Sequence, residues 1–410
     1  MTGERKKGRG NYLVMAVFML IMIALGISDS NRGVFSTVFE QAMGLTKTQL
    51  SMIVTVSYIG NLLFMLLGGK AADRFDKKKA CLGILGLWTL AQVLFACTDS
   101  YVCLLIGMFV SMGASTLMNT MMNILSPFFF GSLAGLYVNV LFFVQGVGTS
   151  GNQKLTGILA SDYGDYRLLC LGLAAVGVVS LGLLGVTKFR GTDEEGRAGS
   201  ADGTVVPPER REGQTGAKKG FRACLSGATP AMGLVFGFYF VAEHGIMNWW
   251  AMYCRQGLGL DAGRASTSVS LFFGTMTLGR LVMAPLVQKL GNRKSILILG
   301  GAGSALYILG VLLGAGGIWL LGISGICLSI VYPTIVLLLQ DMFPKETIAT
   351  VTGLVISIGT LFDIGFNAVF GSLVDKAGFG VCRVIFPGAI LTFYGGFLLV
   401  SGRRRREAVS

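Results

Sequence analysis

An all-α membrane protein, with twelve transmembrane helices in two related six-helix bundles, is the fold class the sequence predicts. Three observations predict it. Of the 410 residues, 53% are hydrophobic, only 13% are charged and 60 are glycine, and the mean hydropathy is +0.68; a soluble domain carries about 25% charge. The apolar residues fall in long runs without period-two alternation, and in a bilayer only helices and closed barrels satisfy their own backbone groups. A basic turn from Gly69 to Lys79, set between two apolar runs, has a weaker echo from Ala284 to Lys294 in the second half, which points to a duplicated membrane unit.

In order, the runs are 11–38, 49–72, 80–97, 102–125, 133–159 and 168–186, then 231–253, 266–287, 295–313, 318–340, 348–373 and 381–400. Each is near the roughly 20 residues that a membrane crossing needs. The expected organisation is a tail over 1–10, a bundle over 11–186, a linker over 187–225, a second bundle over 226–400 and a basic tail over 401–410. The linker is polar and glycine-rich, with Asp193-Glu194-Glu195, Pro207-Pro208 and Lys218-Lys219, a composition that cannot bury a core. A basic patch followed by Tyr12 to Leu25 resembles a signal peptide, but no small-residue cleavage site follows, so it reads as an uncleaved first helix.

The formal charge of +13 sits in loops and tails. Of the 34 Lys and Arg, 24 lie in the N-terminal tail, the linker, the C-terminal tail and alternate loops, against six in the opposite loops. Cytoplasmic loops are the ones enriched in these residues. The expectation is therefore a multi-pass inner (plasma) membrane protein with both termini cytoplasmic, lipids around it and no nucleic-acid partner. The eight cysteines are scattered without metal or disulfide spacing. No phosphate-cradling Gly-Lys-Ser/Thr loop and no nucleophile–base–orienter set is visible. Neither a metal, a cofactor nor an enzyme activity is expected.

Ionisable groups at bilayer depth are costly unless paired or wet, so each is a functional candidate. Only three acids, Asp29, Glu243 and Asp363, lie well inside apolar runs, with Arg32 and Arg280 as cations. Asp29, Arg32 and Ser36 share one face of helix one, where the Asp and Arg can neutralise each other or face a solute. Tyr239, Glu243, Met247 and Trp250 form a stripe on helix seven at helical spacing, with Trp249 alongside. An acid beside aromatic faces suits a sugar, and Glu243 either titrates or is held by Arg280 as a structural pair. His244, the only histidine, is turned about 100° from Glu243 and can face another helix. Asp363 has no local cation and needs a proton, water or a partner from another helix, with Thr360 and Asn367 on its face. Ser115, Asn119 and Asn123 on helix four, and Gln145, Thr149, Asn152 and Gln153 on helix five, suit a polar uncharged solute or glue helices together.

The turn at Gly69 resembles the loop signature of the major facilitator superfamily, G-x-x-x-D-R-x-G-R-K. Gly69, Asp73, Arg74, Lys77 and Lys78 match, and Asp76 replaces the second glycine; in the echo Lys289, Gly291 and Arg293 match. The resemblance implies two six-helix halves around a central cavity. It also implies a cytoplasmic gate at Gly69, Asp73, Arg74, Lys77 and Lys78, with Asp73 facing the start of helix eleven after Pro344. Ala242-Glu243-His244, Trp249, Trp250, Tyr253, Phe273-Gly274, Gly279-Arg280 and Tyr332-Pro333-Thr334 are similar to the fucose permease branch of sugar–proton symporters. That branch's acid in helix four is replaced by Thr116 or a neutral neighbour.

The expected function is a secondary active transporter moving a small polar solute, most plausibly a sugar, by proton-coupled symport, and functional as a monomer. Substrate contacts are assigned to Asp29, Arg32, Asn119, Asn123, Gln145, Asn152, Tyr239, Glu243, Trp249, Trp250, Asp363 and Asn367. Proton coupling is assigned to Glu243, Asp363 and Asp29. The alternatives are a proton-coupled efflux antiporter for amphipathic compounds and a receptor that has kept a transporter fold.

Overall fold

The computed structural model describes residues 2–74, 76–160, 162–187, 189, 228–343 and 347–407; side chains of 2–11, 67–74 and 402–407, and of Ser132 and Ala349, lie outside that description. Two compact units, residues 1–202 and 203–410, divide the chain. Most of the expected linker, like the signature residues Gly69, Asp73 and Arg74 as side chains and Pro344, falls outside the described set.

The first unit contains α1 (Thr2–Val34), α2 (Lys47–Arg74), α3 (Lys77–Cys97), α4 (Tyr101–Phe130), α5 (Ala134–Leu159) and α6 (Tyr163–Val186), with a short helix Ser36–Met43 after α1. The second contains α7 (Ala228–Gly245), α8 (Ala262–Val282), α9 (Gly301–Leu313), α10 (Ile318–Leu328), α11 (Ile348–Ala377) and α12 (Cys382–Glu407). Two π-helical turns, Ile246–Trp250 and Tyr253–Gly257, prolong α7. A helix Ala284–Leu290 follows α8 at a 56° bend, and Val331–Met342 prolongs α10.

Nine helices among the described residues are long and apolar enough to cross a membrane, or ten with the bent pair. The remaining two of the twelve have simple causes. Asn292–Met342 passes as a single stretch although Gly314–Gly317 turns the chain in its middle, and α5 carries Gln145, Asn152, Gln153 and Lys154.

Local chemistry sets the ends. Asp76, which stands where the signature has glycine, accepts from the Lys79 backbone N–H at 2.8 Å and caps α3. Asp162 and Asp165 form a capping box at the start of α6. Lys78 Nζ donates to Gly185 O at 2.6 Å and Thr187 O at 2.8 Å, placing a cation on the orphan carbonyls that close α6. Lys78→Met is expected to cost about 1 kcal/mol, read as a fall of a few degrees in the thermal midpoint of the purified protein. An unchanged midpoint would remove that role.

Within each unit the same helices pair: α1 with α5, α2 with α4 and α3 with α6, then α7 with α11, α8 with α10 and α9 with α12. The pairing is the duplication made visible in structure. Small residues let membrane helices approach closely, and the closest crossings are built this way. A Cβ on Gly26 of α1 would lie 2.2 Å from Gln145 O, and one on Gly148 of α5 would lie 2.5 Å from Ile23 O. Of the glycines on α5, Gly151 has open space around it, so close approach explains Gly148 and not its neighbour.

Candidate solute and proton site

In the first unit the polar centre lies where α1 meets α4. Ser115 Oγ donates to Asp29 Oδ2 at 2.8 Å, while Asp29 Oδ1 is shielded from solvent without a hydrogen-bond partner. Asn119, one turn beyond Ser115 on α4, also holds a shielded carbonyl oxygen without a partner. Among the described residues Asp29 makes no ion pair. Arg32 is buried, and its guanidinium donates to Met112 Sδ at 2.9 Å and Tyr58 OH at 3.2 Å, with the Tyr58 ring centroid 4.7 Å away. The guanidinium thus reaches across to α2 and α4 instead of closing locally on Asp29.

The amides divide. Asn152 Nδ2 donates to Ile27 O, Ser30 Oγ and Asn31 Oδ1 at 2.7 to 3.1 Å, and its Oδ1 accepts from Thr156 at 2.6 Å. It binds α5 to α1, so its groups are engaged in helix packing and not offered to a solute. Gln145 is half-buried beside the crossing and Asn123 is exposed. A network that spacing did not reveal, Gln92 Nε2 donating to Ser28 and Ser111 at 3.0 and 3.1 Å, ties α3 to α1 and α4.

The second unit brings four residues together. His244 Nδ1 lies 2.6 Å from Asp363 Oδ2, Asn367 Nδ2 donates to Asp363 Oδ1 at 3.1 Å, and Trp249 Nε1 donates to Asn367 Oδ1 at 3.4 Å. Asp363 and Asn367 are buried on α11; the His244 side chain keeps 23% of its surface exposed. The partner from another helix that Asp363 needs is therefore the chain's single histidine. Its ring stacks on Phe240 with centroids 5.4 Å apart.

Glu243 sits half-buried, acting with Arg280 on the hydroxyls of Tyr239 and Tyr332. No ion pair joins Glu243 to Arg280 among the described residues, and Arg280 is exposed. Tyr239 is buried and donates to Leu328 O at 3.3 Å. The expected aromatic stripe is altered by the π-helical turns, whose longer period moves Trp249 and Trp250 off the α-helical register. Both indoles are buried, Trp249 edge-on to Phe370 and Trp250 against Tyr253. They fill the bundle and offer no stacking face to a sugar. Among the signature lysines, Lys77 rests over the Phe128 ring at 3.9 Å and Lys78 closes α6, both inside the first unit.

A family model for the Major Facilitator Superfamily matches residues 10–362. The 3-(3-hydroxy-phenyl)propionate transporter of Escherichia coli (strain K12) is 22% identical over 412 residues, which cover 99% of this chain and 98% of that protein. The nucleoside transporter NupG superposes with a TM-score of 0.73 at 11% identity, covering 95% of this chain and 98% of that one. A variant of the E. coli fucose:proton symporter FucP superposes with a TM-score of 0.60 at 16% identity, covering 95% and 99%. These structural likenesses carry the fold, and the family match spans most of both units. The chain belongs to the major facilitator superfamily of membrane transporters.

Proposed function

We propose that this transporter couples the movement of a small polar organic solute to protons. The observation that carries the reading is Asp29: a carboxylate at bilayer depth with no ion pair and one shielded oxygen free of hydrogen bonds. Such a group is held at a cost unless it takes a proton or a donor from a solute. Asn119 Oδ1, also without a partner, adds a second acceptor on the adjoining helix. Together they favour a ligand bearing hydroxyl donors.

For the solute, a hydroxylated aromatic carboxylate ranks first and a sugar second. The curated relative of equal length carries a hydroxylated aromatic acid by name. Buried Arg32, flanked by Tyr58, supplies a cation and an aromatic ring of the kind a carboxylated ring binds. A sugar retains support from the hydroxyl-matching acceptors and from the fold shared with FucP, but loses the Trp249 and Trp250 platform.

Uptake into proteoliposomes with an internal pH indicator tests this reading, using hydroxylated phenylpropionates, sugars, nucleosides and amphipathic cations one at a time. Acidification of the lumen with a hydroxylated aromatic acid, and with no sugar, is the expected result. Acidification with a sugar alone would reverse the ranking. Lumen alkalinisation on uptake of an amphipathic cation would replace symport with the antiport alternative.

A further inference from the structure

On an α-helix successive residues turn by about 100°, so residues five apart stand about 140° from each other. His244 and Trp249 are five apart, yet His244 contacts Asp363 and Trp249 contacts Asn367, one turn later on the same helix. The π-helical turn Ile246–Trp250 explains the coincidence. Its hydrogen bonds run from i to i+5, which stacks residues five apart on one face. Asn367 then bridges to Asp363, so the two contacts staple both ends of the π turn onto α11.

We propose that His244 and Asp363 form a proton-responsive positioning pair that holds α7 in its π-helical register against α11. Nδ1 carries a proton toward the Asp363 carboxylate, and Nε2 is the position at which a second proton enters and leaves. The pair changes from a net charge of −1 to 0 when Nε2 is protonated. In low dielectric that single charge alters the strength of the contact, and through Asn367 it reaches the Trp249 end of the turn.

The other titratable groups of the surrounding elements are few. On α7 they are Glu243 and Tyr239; α8 adds Arg280, α9 adds Tyr307, and the Val331–Met342 helix adds Tyr332. From α12, Phe386 lies against Gly245 and Cys382 is buried nearby in sequence. Asp375 and Lys376 stand more than three turns further along α11, about 18 Å away. His244 is thus the one imidazole through which this seam can respond between about pH 5 and 8.

For transport, the proposal rests on the proton-coupled reading above; for the pair itself it has a separate readout. Because the chain has one histidine, protein without an affinity tag of histidines, labelled with ¹³C,¹⁵N-histidine, gives one imidazole signal set. We expect that signal to titrate, with the Trp249 indole N–H, identified through Trp249→Phe, moving at the same midpoint. His244→Asn keeps an N–H near the place of Nδ1 but has no second proton site, and should abolish the movement of the indole. An imidazole signal that does not change between about pH 5 and 8, or an indole indifferent to His244→Asn, overturns the pair. In proteoliposomes the same variant should lose proton-driven accumulation by tenfold or more while solute counterflow stays within twofold; wild-type accumulation would overturn its part in coupling. If the unsubstituted protein moves no protons with any solute, the coupling reading fails, and the spectra still decide the pair.

Discussion

Asp29→Asn is expected to abolish solute accumulation against a gradient while leaving solute exchange intact. The substitution preserves volume and keeps an oxygen for Ser115, whose hydroxyl donates to Oδ2 at 2.8 Å. What it removes is the ability of the second oxygen, now without a partner, to bind and release a proton. One pH unit is worth about 1.4 kcal/mol per proton, or about tenfold accumulation. Under such a gradient the expected change is from about tenfold accumulation to none, with counterflow within about threefold of the unsubstituted protein. A variant that still accumulates solute tenfold would remove Asp29 from coupling; one that loses counterflow as well would place it in solute binding.

Gly26→Leu is expected to prevent the first unit from assembling. A Cβ at this position would meet Gln145 O at 2.2 Å, and the backbone of α5 cannot swing aside as a side chain can. Overpacking a well-fitted site costs about 1–3 kcal/mol, and parting two helices along their seam also breaks Asn152 from Ile27, Ser30 and Asn31. The measurement is the yield of monodisperse protein by size exclusion and its thermal midpoint. Gly151→Leu, on α5 where a Cβ meets nothing within 4 Å, is the control and should leave both unchanged. Equal loss in the two variants would show that the crossing is not the cause.

The spans and their duplication were legible because apolar length is a property of each segment alone, as is the spacing of basic turns. The partner of a glycine is not such a property. Gly148 and Gly151 look alike in sequence, and only the passage of α1 distinguishes them. The same limit governs the site. Asp29 and Asp363 stood out because a carboxylate in an apolar run is anomalous by itself, whereas the engagement of Asn152 depends on three acceptors about 120 positions earlier. Trp249 and Trp250 were read as a solute platform because helical spacing presumes 3.6 residues per turn throughout. The π-helical turns after Gly245 break that presumption without a residue type that announces them. His244 showed the reverse: its rotation away from Glu243 was readable, and the structure supplies the Asp363 carboxylate on the helix it faces.

The two matching seams differ in what their glycines touch. Between α1 and α5 the obstacle is main chain on both sides, Gln145 O and Ile23 O; between α7 and α11 it is the side chains of Ile358 and Phe362, facing Gly233 and Gly237. Side chains have alternative rotamers and main chain in a helix does not. The first seam therefore behaves as a fixed joint and the second as a compliant one, able to absorb a change of register without parting. Over many generations of substitution, the second seam is the one in which new side chains can be tried.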